Sequence, residues 1–451
     1  MRRRRPTILS LIFVWASLGA AMAESRFPPP DFESGYQLPA TQFPGARVQG
    51  LEYLDVGVLI ATLGLASWLV LRKRSRKGVM ALSIFSLLYF GFYREGCVCA
   101  IGSVQNVALA LADSRYALPL AVLAFFLAPL VTALFFGRSF CAAVCPHGAI
   151  QDLVLVKPIP VPRWLEQGLG VLPFAYLGAG VLFAATGSGF VICRYDPFVP
   201  IFRLTGSFPL MVLGIGFLLV GLFIGRPYCR FLCPYGALLR LASAVSKWQP
   251  RITPDTCTQC RLCEHSCPFG AINEPSAPSP QPSVVAAERR RFVGLVVLLP
   301  ILVAAGAWIG GRFSGAASTL HPTVKLAELH LEHQGAPAKT NLTKATTLAL
   351  NRAANSTAEL LPAAVEVRRK FGLAGALFGG WIGLVAGFRL LGFSFWQRRA
   401  DFEPDRAGCL GCARCFEYCP QELIRRGLVP ELASVSPGAT KPGSVPGSSS
   451  A

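Results

Sequence analysis

Seven apolar stretches, each bordered by polar or basic residues, restrict this chain to a fold that crosses a lipid bilayer. A membrane-spanning helix needs about 20 apolar residues, and most of these stretches reach or approach that length. Hydrophobic residues make up 53% of the 451 residues and charged residues 15%, compared with about 25% charged in soluble domains. The sequence predicts a mainly α-helical, polytopic membrane protein, which excludes a soluble enzyme and a disordered chain. The predicted spans lie near 54–71, 79–93, 117–136, 169–186, 208–224, 292–309 and 371–391.

Basic residues indicate the orientation of these spans. They crowd positions 72–77 after the first span, 226–251 after the fifth and 289–291 before the sixth. Because cytoplasmic loops are enriched in Lys and Arg, these segments are expected in the cytoplasm. The excess of 43 Lys and Arg over 24 Asp and Glu is therefore assigned to loops, and nucleic-acid binding is not expected. We predict a multi-pass protein of the bacterial cytoplasmic (inner) membrane.

Two cysteine runs share the spacing C-x2-C-x2-C-x3-C-P. In bacterial ferredoxins, three thiolates of such a run bind one cubane and the fourth binds the other cluster. We predict a first [4Fe–4S] cluster, with iron bound by Cys257, Cys260, Cys263 and Cys419. We predict a second on Cys409, Cys412, Cys415 and Cys267. Structural zinc is the disfavoured alternative, because zinc sites usually use two separated C-x2-C pairs.

The two runs are separated by two predicted spans, so both are expected on the cytoplasmic side. The sequence therefore predicts a small cytoplasmic α+β ferredoxin-like domain with two clusters, assembled from two separated segments. The predicted divisions are a signal peptide at 1–23, an exported arm at 24–53, a five-span membrane domain at 54–250, a first ferredoxin half at 251–288, span six at 289–311, an exported helical loop at 312–370, span seven at 371–393, a second ferredoxin half at 394–432 and a disordered tail at 433–451. An uncleaved anchor is the alternative at the N-terminus.

Two C-x3-C-P pairs follow predicted spans three and five. Each continues as C-P-x-G-A, and related sequences follow Cys267 and, more loosely, Cys99. This repetition suggests that the same loop-to-helix motif occurs several times in the chain. Both pairs are expected in the cytoplasm and could form a third cluster, another metal site or a redox-active thiol group. The alternative is that these cysteines only pack at helix ends. The four residues are Cys141, Cys145, Cys229 and Cys233.

A span followed by [FY]-C-x3-C-P-[HY]-G-A, twice, together with the two cluster runs, resembles the NosR/NapH-type membrane polyferredoxins. The resemblance covers about 117–271 and 406–420. It implies an integral membrane iron–sulfur protein that passes electrons between a quinol or cytoplasmic donor and an exported acceptor. NosR-type members also carry an exported domain with covalent FMN, for which the predicted arm is too short. A quinone, or FMN supplied by a partner such as an exported flavoprotein or reductase, is therefore expected.

Three cysteines are predicted at the exported membrane surface, where disulfides can form: Cys97, Cys99 and Cys193. An electron-exit site, or a disulfide plus a buried thiol, would account for them equally well. The predicted exported loop contains His321, His330 and His333. Metal or haem ligation by these histidines is conceivable, but a solvated helix is the favoured interpretation.

These features predict an electron carrier that moves single electrons through two cytoplasmic clusters. A membrane quinone or flavin and an exported redox partner would exchange electrons with it. Because one electron hop cannot cross a hydrocarbon core about 30 Å thick, a further carrier is required within the membrane. The alternatives are a membrane cupric or ferric reductase for metalloenzyme assembly and a redox-sensing regulator. The sequence assigns no catalytic residue.

Overall fold

A computed structural model of the chain describes residues 48–96, 99–252, 257–275, 282–335, 357–392 and 399–428. The predicted signal peptide, nearly all of the predicted exported arm, Cys97 and the predicted tail lie outside these residues. Within the described helices, the side chains of residues 49, 163, 282–288, 332–335 and 357–359 are also outside the description, and His333 is among them.

The described residues are mostly helical, as predicted, with one small sheet. The helices before the first cluster run are α1 (Gln49–Trp68), α2 (Arg76–Ser86), α3 (Ala100–Ala112), α4 (Leu120–Phe136), α5 (Ser139–Ala143), α6 (Pro146–Leu153), α7 (Arg163–Leu169), α8 (Leu172–Ala185), α9 (Val191–Arg194), α10 (Val199–Arg203), α11 (Phe208–Gly221), α12 (Pro227–Phe231) and α13 (Pro234–Ala244). The later elements are α14 (Leu262–Ser266), β1 (Ile272–Asn273), α15 (Pro282–Ser318), α16 (Pro322–Gly335), α17 (Thr357–Gly392), β2 (Glu403–Pro404), α18 (Arg414–Tyr418) and α19 (Pro420–Arg425). Helices α1 and α2 continue into π-helical turns at Leu69–Lys73 and Leu87–Tyr93.

Among the described residues, four helical segments are long and apolar enough to cross a membrane. They are Gly50–Lys73, Trp164–Ala185, Arg289–Ser318 and Leu360–Gly392, and they overlap predicted spans one, four, six and seven. The apolar helices at predicted spans three and five are shorter. Several membrane helices are therefore present, while the count of seven crossings stays a prediction.

The two-stranded sheet joins the two ferredoxin segments. Strand β1, which follows the first cysteine run, pairs antiparallel with β2, which precedes the second run; Ile272 lies opposite Pro404 and Asn273 opposite Glu403. Helices α14 and α18, one from each run, also pack together. The two segments therefore share one small α+β arrangement.

Helices α15 and α17, which connect these segments, pack through glycines. A Cβ atom on Gly306 would overlap the carbonyl oxygen of Gly379, and one on Gly379 would overlap the carbonyl oxygen of Gly306. Small residues let membrane helices approach at the level of the backbone. This contact fixes the separation of the two helices.

We expect Gly379→Ala to destabilise the protein and Gly372→Ala, on the same helix, to leave it unchanged or slightly stabilised. The first methyl group would force the helices apart, at a cost of at least about 1–3 kcal/mol. The second would enter open space and gain helix propensity. Thermal midpoints of both variants in detergent test this expectation. Equal midpoints would contradict the glycine contact.

Sequence expectations for the exported loop are met in part. The predicted helix at 324–332 is present within α16, whereas most of the helix predicted at 345–361 falls outside the described residues. The expected solvated face at the histidines is wrong, because His321 and His330 are 8% and 7% exposed. Helix α16 packs against α17 through Val324, Ala327 and Ala364, and this packing covers its surface.

Candidate cysteine centres

The first cysteine centre is a small cavity between the two ferredoxin segments. Ile252 and Phe402 provide apolar walls. Cys263 is buried on α14, whereas Cys260 is exposed to solvent. The cysteines that line this cavity are Cys257, Cys260, Cys263 and Cys419. The structure thus brings together the four residues that the sequence assigns to the first cluster.

The second cysteine centre is a neighbouring cavity with Phe269, Leu410 and Phe416 in its walls. Its cysteines are Cys267, Cys409, Cys412 and Cys415, which are those assigned to the second cluster. The amide of Gly411 donates a hydrogen bond to Cys409 Sγ at 3.4 Å. Cys415 also packs against the apolar residues around the first cavity. The two centres therefore share a wall.

Both cysteine loops bend through left-handed backbone conformations at equivalent positions. In the first run Gln259 and Arg261 have φ of 52° and 61°, and in the second Gly411 and Ala413 have φ of 67° and 64°. Three of these four residues are not glycine, so the conformation costs energy, of order 1–3 kcal/mol each. Such strain persists when the surroundings require it, and here it turns successive cysteines toward one cavity.

A four-cysteine donor set around a cavity fits a cubane cluster. In a cubane each thiolate binds a different iron, so the sulfurs stand farther apart than ligands of one ion. No three His, Cys, Asp or Glu side chains within the described ranges are arranged to hold a single metal ion. The four cysteines around each cavity, with the hydrogen bond that the Gly411 amide donates to Cys409 Sγ, are a donor set that fits a [4Fe–4S] group.

The two C-x3-C-P pairs form a third cluster of cysteines beside the second cavity. Cys141, Cys229 and Cys233 all lie within electrostatic range of Cys145. Cys145 and Cys233 are buried, and the other two are partly buried. Cys141 packs against Phe269 and Leu410, the residues that also line the second cavity. The third cysteine centre therefore adjoins the second.

Three of these four sulfurs accept hydrogen bonds. Arg138 Nη2 donates to Cys141 Sγ at 3.7 Å, and Gln151 Nε2 donates to Cys229 Sγ at 3.3 Å. The amide of Gly236 donates to Cys233 Sγ at 3.3 Å. Donors of this kind orient cysteine ligands and favour the thiolate over the thiol.

Local sequence explains how these cysteines are presented. Cys145, Cys233 and Cys419 each precede a helix whose first residue is proline. Proline suits that position because its missing N–H would have no helical partner. Cys99 also caps a helix, α3, without a proline.

The loop-to-helix prediction is wrong at Cys267. There the chain turns through Gly270, whose φ is +60°, and enters strand β1. The pairing of β1 with β2, far along the chain, overrides the local pattern at this position. The chain therefore enters a helix after Cys99, Cys145 and Cys233 but a strand after Cys267, although the four sequences are similar.

A buried ion-pair network connects the membrane helices to the second ferredoxin segment. Asp152 Oδ2 lies 2.5 Å from Arg76 Nη2 and 3.4 Å from Arg226 Nη2, and Asp152 Oδ1 lies 3.6 Å from Arg414 Nη2. Burial of Asp152 tends to raise its pKa, but the positive charges of Arg226 and Arg76 hold this pKa below its ordinary value. Arg76 Nη1 also donates to the carbonyl oxygen of Cys412 at 3.2 Å. Sequence reasoning assigned these arginines only to topology.

Cys99 and Cys193 lie against the first turn of α3. Cys99 Sγ accepts a hydrogen bond from the amide of Ile101 at 3.3 Å. Cys193 Sγ lies 2.8 Å from the position that a Cβ atom on Gly102 would occupy. Cys99 is in turn within electrostatic range of Cys145 and Cys233. These two cysteines are therefore close to the third cysteine centre.

One predicted feature of the topology is wrong. Predicted span four lies between the C-x3-C-P pair at Cys145 and the exported Cys193, which would put the neighbouring His147 and Asp196 at opposite membrane surfaces. In the structure His147 Nε2 lies 3.0 Å from Asp196 Oδ2, and both residues are buried. Helices α3, α6 and α13 have 13, 8 and 11 residues. At about 1.5 Å per residue they are shorter than a hydrocarbon core of about 30 Å. Such helices can end and meet inside the protein without crossing.

Comparisons with known proteins match the cysteine-bearing segments. Residues 118–164 and 207–252, which contain the C-x3-C-P pairs, match a family model described as a 4Fe-4S binding domain. Residues 250–273, which contain the first run, match a second model with the same description. No solved structure matches the chain. The cysteine centres and apolar helices together define an iron–sulfur protein with membrane helices.

Three named relatives match part of the chain. Protein NirI of Paracoccus denitrificans is 34% identical over 154 residues, which cover 31% of this chain and 22% of NirI. Regulatory protein NosR of Pseudomonas aeruginosa is 29% identical over 243 residues, covering 48% of this chain and 33% of NosR. YccM of Escherichia coli, whose name assigns it to electron transport, is 27% identical over 156 residues, or 31% of this chain and 43% of YccM. The chain thus spans less than half of each. The matches to NosR and NirI agree with the resemblance to NosR/NapH-type proteins that the motifs predict, and the family models describe 4Fe–4S binding.

Proposed function

We propose that this protein carries single electrons through a row of adjacent cysteine centres, two of which hold [4Fe–4S] clusters on the cytoplasmic side of the inner membrane. The first cluster would be bound by Cys257, Cys260, Cys263 and Cys419. The second would be bound by Cys267, Cys409, Cys412 and Cys415. Each cluster, when bound, takes up and releases one electron.

The observation that carries this proposal is the contact between successive centres. Cys415 of the second cavity packs against the apolar residues around the first, and Cys141 of the third centre packs against residues that line the second. An electron could therefore pass from the solvent-exposed edge at Cys260 to the buried thiols of Cys145 and Cys233 without leaving the protein.

A third redox site at Cys141, Cys145, Cys229 and Cys233 is part of the proposal. Two matches to a model described as a 4Fe-4S binding domain cover these residues, and Arg138, Gln151 and Gly236 donate hydrogen bonds to three of the four sulfurs. Cys99 and Cys193 would continue the path toward an exported partner. A membrane quinone or a flavin carried by a partner protein would complete it.

Anaerobically purified protein should contain about twelve irons and twelve acid-labile sulfides per chain if all three sites hold cubanes. Cys409→Ser should lower both by about four, because it removes a ligand of the second cluster. Cys193→Ser, outside the three sets, should keep the full content and serves as the control. About eight irons per chain would mean that the third cysteine centre holds no cluster and contains only thiols. Zinc in place of iron would refute the proposed function.

A further inference from the structure

A cavity of about 320 Å³ lies where the second cysteine loop meets the ends of the membrane helices. Ala407, Gly408 and Leu410 of the loop form one side. The charged side chains that line it are four arginines and two carboxylates, namely Arg138, Arg230, Arg240, Arg389, Glu166 and Asp405. Cationic groups therefore outnumber anionic groups in this partly open cavity.

Three of the arginines have partners within the protein. Arg230 Nη2 lies 2.6 Å from Glu166 Oε1, and Arg389 Nη2 donates to the carbonyl oxygen of Gly170 at 2.7 Å. Arg138 Nη1 donates to the carbonyl oxygen of Ala407 at 3.4 Å. These contacts leave Arg138 Nε buried without a hydrogen bond.

Arg240 is the exception. Within the described residues, the hydrogen bonds and ion pairs around this cavity do not include its guanidinium, although it lines the cavity. Burial, together with the charges of Arg138 and Arg389, lowers its pKa to about 10, while Asp405 and Glu166 act in the opposite direction. A partly buried cation beside two like charges is unfavourable unless an anion offsets it.

We propose that this cavity binds a phosphate group, with Arg240 as its central contact and Arg138 and Arg389 beside it. The planar guanidinium fork matches the geometry of phosphate oxygens, and several arginines around one anion form strong charge-assisted hydrogen bonds. The negative charge of a bound phosphate would offset the repulsion of Arg240 by Arg138 and Arg389.

An anionic phospholipid headgroup is the preferred source of this phosphate. Gly170 and Arg389 lie near the ends of the candidate spans Trp164–Ala185 and Leu360–Gly392, where headgroups are expected. Basic pockets between membrane helices bind such headgroups in other proteins. A bound lipid at this place would contact the second cysteine loop directly.

Native mass spectrometry of the full-length protein, titrated with phosphatidylglycerol or with phosphatidylethanolamine of the same acyl chains, tests the proposal. We expect one phosphatidylglycerol to bind about tenfold more tightly than phosphatidylethanolamine. Arg240→Gln should abolish this preference, whereas Arg290→Gln, an exposed arginine on α15, should retain it. If Arg240→Gln fails to fold, as judged by the loss of a cooperative thermal transition, Arg389→Gln takes its place.

A second measurement distinguishes lipid from free phosphate. Thermal midpoints are compared in sodium phosphate and sodium chloride at equal ionic strength, in lipid-free detergent. A rise in phosphate that Arg240→Gln abolishes, without any lipid preference, would assign the site to soluble phosphate. The proposal is overturned if wild-type protein shows neither preference, or if Arg240→Gln behaves as wild type in both. Because neither readout needs the clusters, these outcomes are separate from those of the proposed function.

Discussion

Cys145→Ser should retain the two ferredoxin clusters, at about eight irons per chain, but lose electron transfer across the membrane. Cys145 is buried in the third cysteine centre, with Cys141, Cys229 and Cys233 around it and Cys99 beyond it. Removing its thiolate would open a gap in the row of centres. We expect the transfer rate to fall on the order of 100-fold, which corresponds to about 2.7 kcal/mol of barrier.

The measurement uses proteoliposomes with ferricyanide trapped inside and dithionite added outside. Wild-type protein should reduce the trapped ferricyanide, and Cys145→Ser should not, although external dithionite still reduces its two clusters. Cys260→Ser, at the exposed edge of the first cavity, serves as the comparison variant. It should instead impair the reduction of the first cluster by external dithionite. If Cys145→Ser transfers electrons at the wild-type rate, the third centre is not on the path.

Asp152→Asn should be the most destabilising single change outside the cysteines. Asp152 is 2% exposed and faces Arg76, Arg226 and Arg414. Neutralising it would leave Arg226, which is fully buried, without its counter-charge. Loss of one partner from a buried ion pair costs about 3–5 kcal/mol. Because the network holds the second ferredoxin segment against the membrane helices, we also expect faster loss of the clusters.

The midpoint for thermal loss of cluster absorbance measures this effect. Asp113→Asn makes the same chemical change at an exposed site, and it should shift the midpoint little. The arginines hold the Asp152 pKa below its ordinary value, so its stabilisation is present above that value and lost only as the pH falls through the lowered pKa. The difference between wild type and Asp152→Asn should therefore be constant near neutral pH. Equal midpoints for the two variants would show that the network carries no stability.

Much of the cysteine chemistry was predictable from the sequence because it depends on local spacing. Three cysteines within seven residues, as at Cys257, Cys260 and Cys263, can reach one cavity through a short loop, whatever surrounds it. The meeting of two distant runs followed from an even number of spans between them. Sheet pairing of Ile272 with Pro404 agrees with that expectation.

Sequence reasoning failed where a local pattern met a non-local contact. Cys267 is followed by the same C-P-x-G-A pattern as Cys145, but strand pairing draws the chain away from a helix. Predicted span four separates His147 from Asp196 along the chain, yet the folded protein brings the two side chains into contact. The contact depends on short helices in the segments between the predicted spans, which span counting does not describe.

The sequence by itself indicated the mainly helical class with membrane helices and the iron–sulfur character, since these follow from composition and from the spacing of neighbouring cysteines. Only the tertiary structure decided which side chains share a site. It placed Cys99 and Cys193 near the C-x3-C-P cysteines, buried Asp152 among three arginines and gathered Arg138, Arg240 and Arg389 in one cavity. The physical reason is that the charge of an arginine is visible in the sequence, whereas its partner depends on which distant helix ends lie beside it.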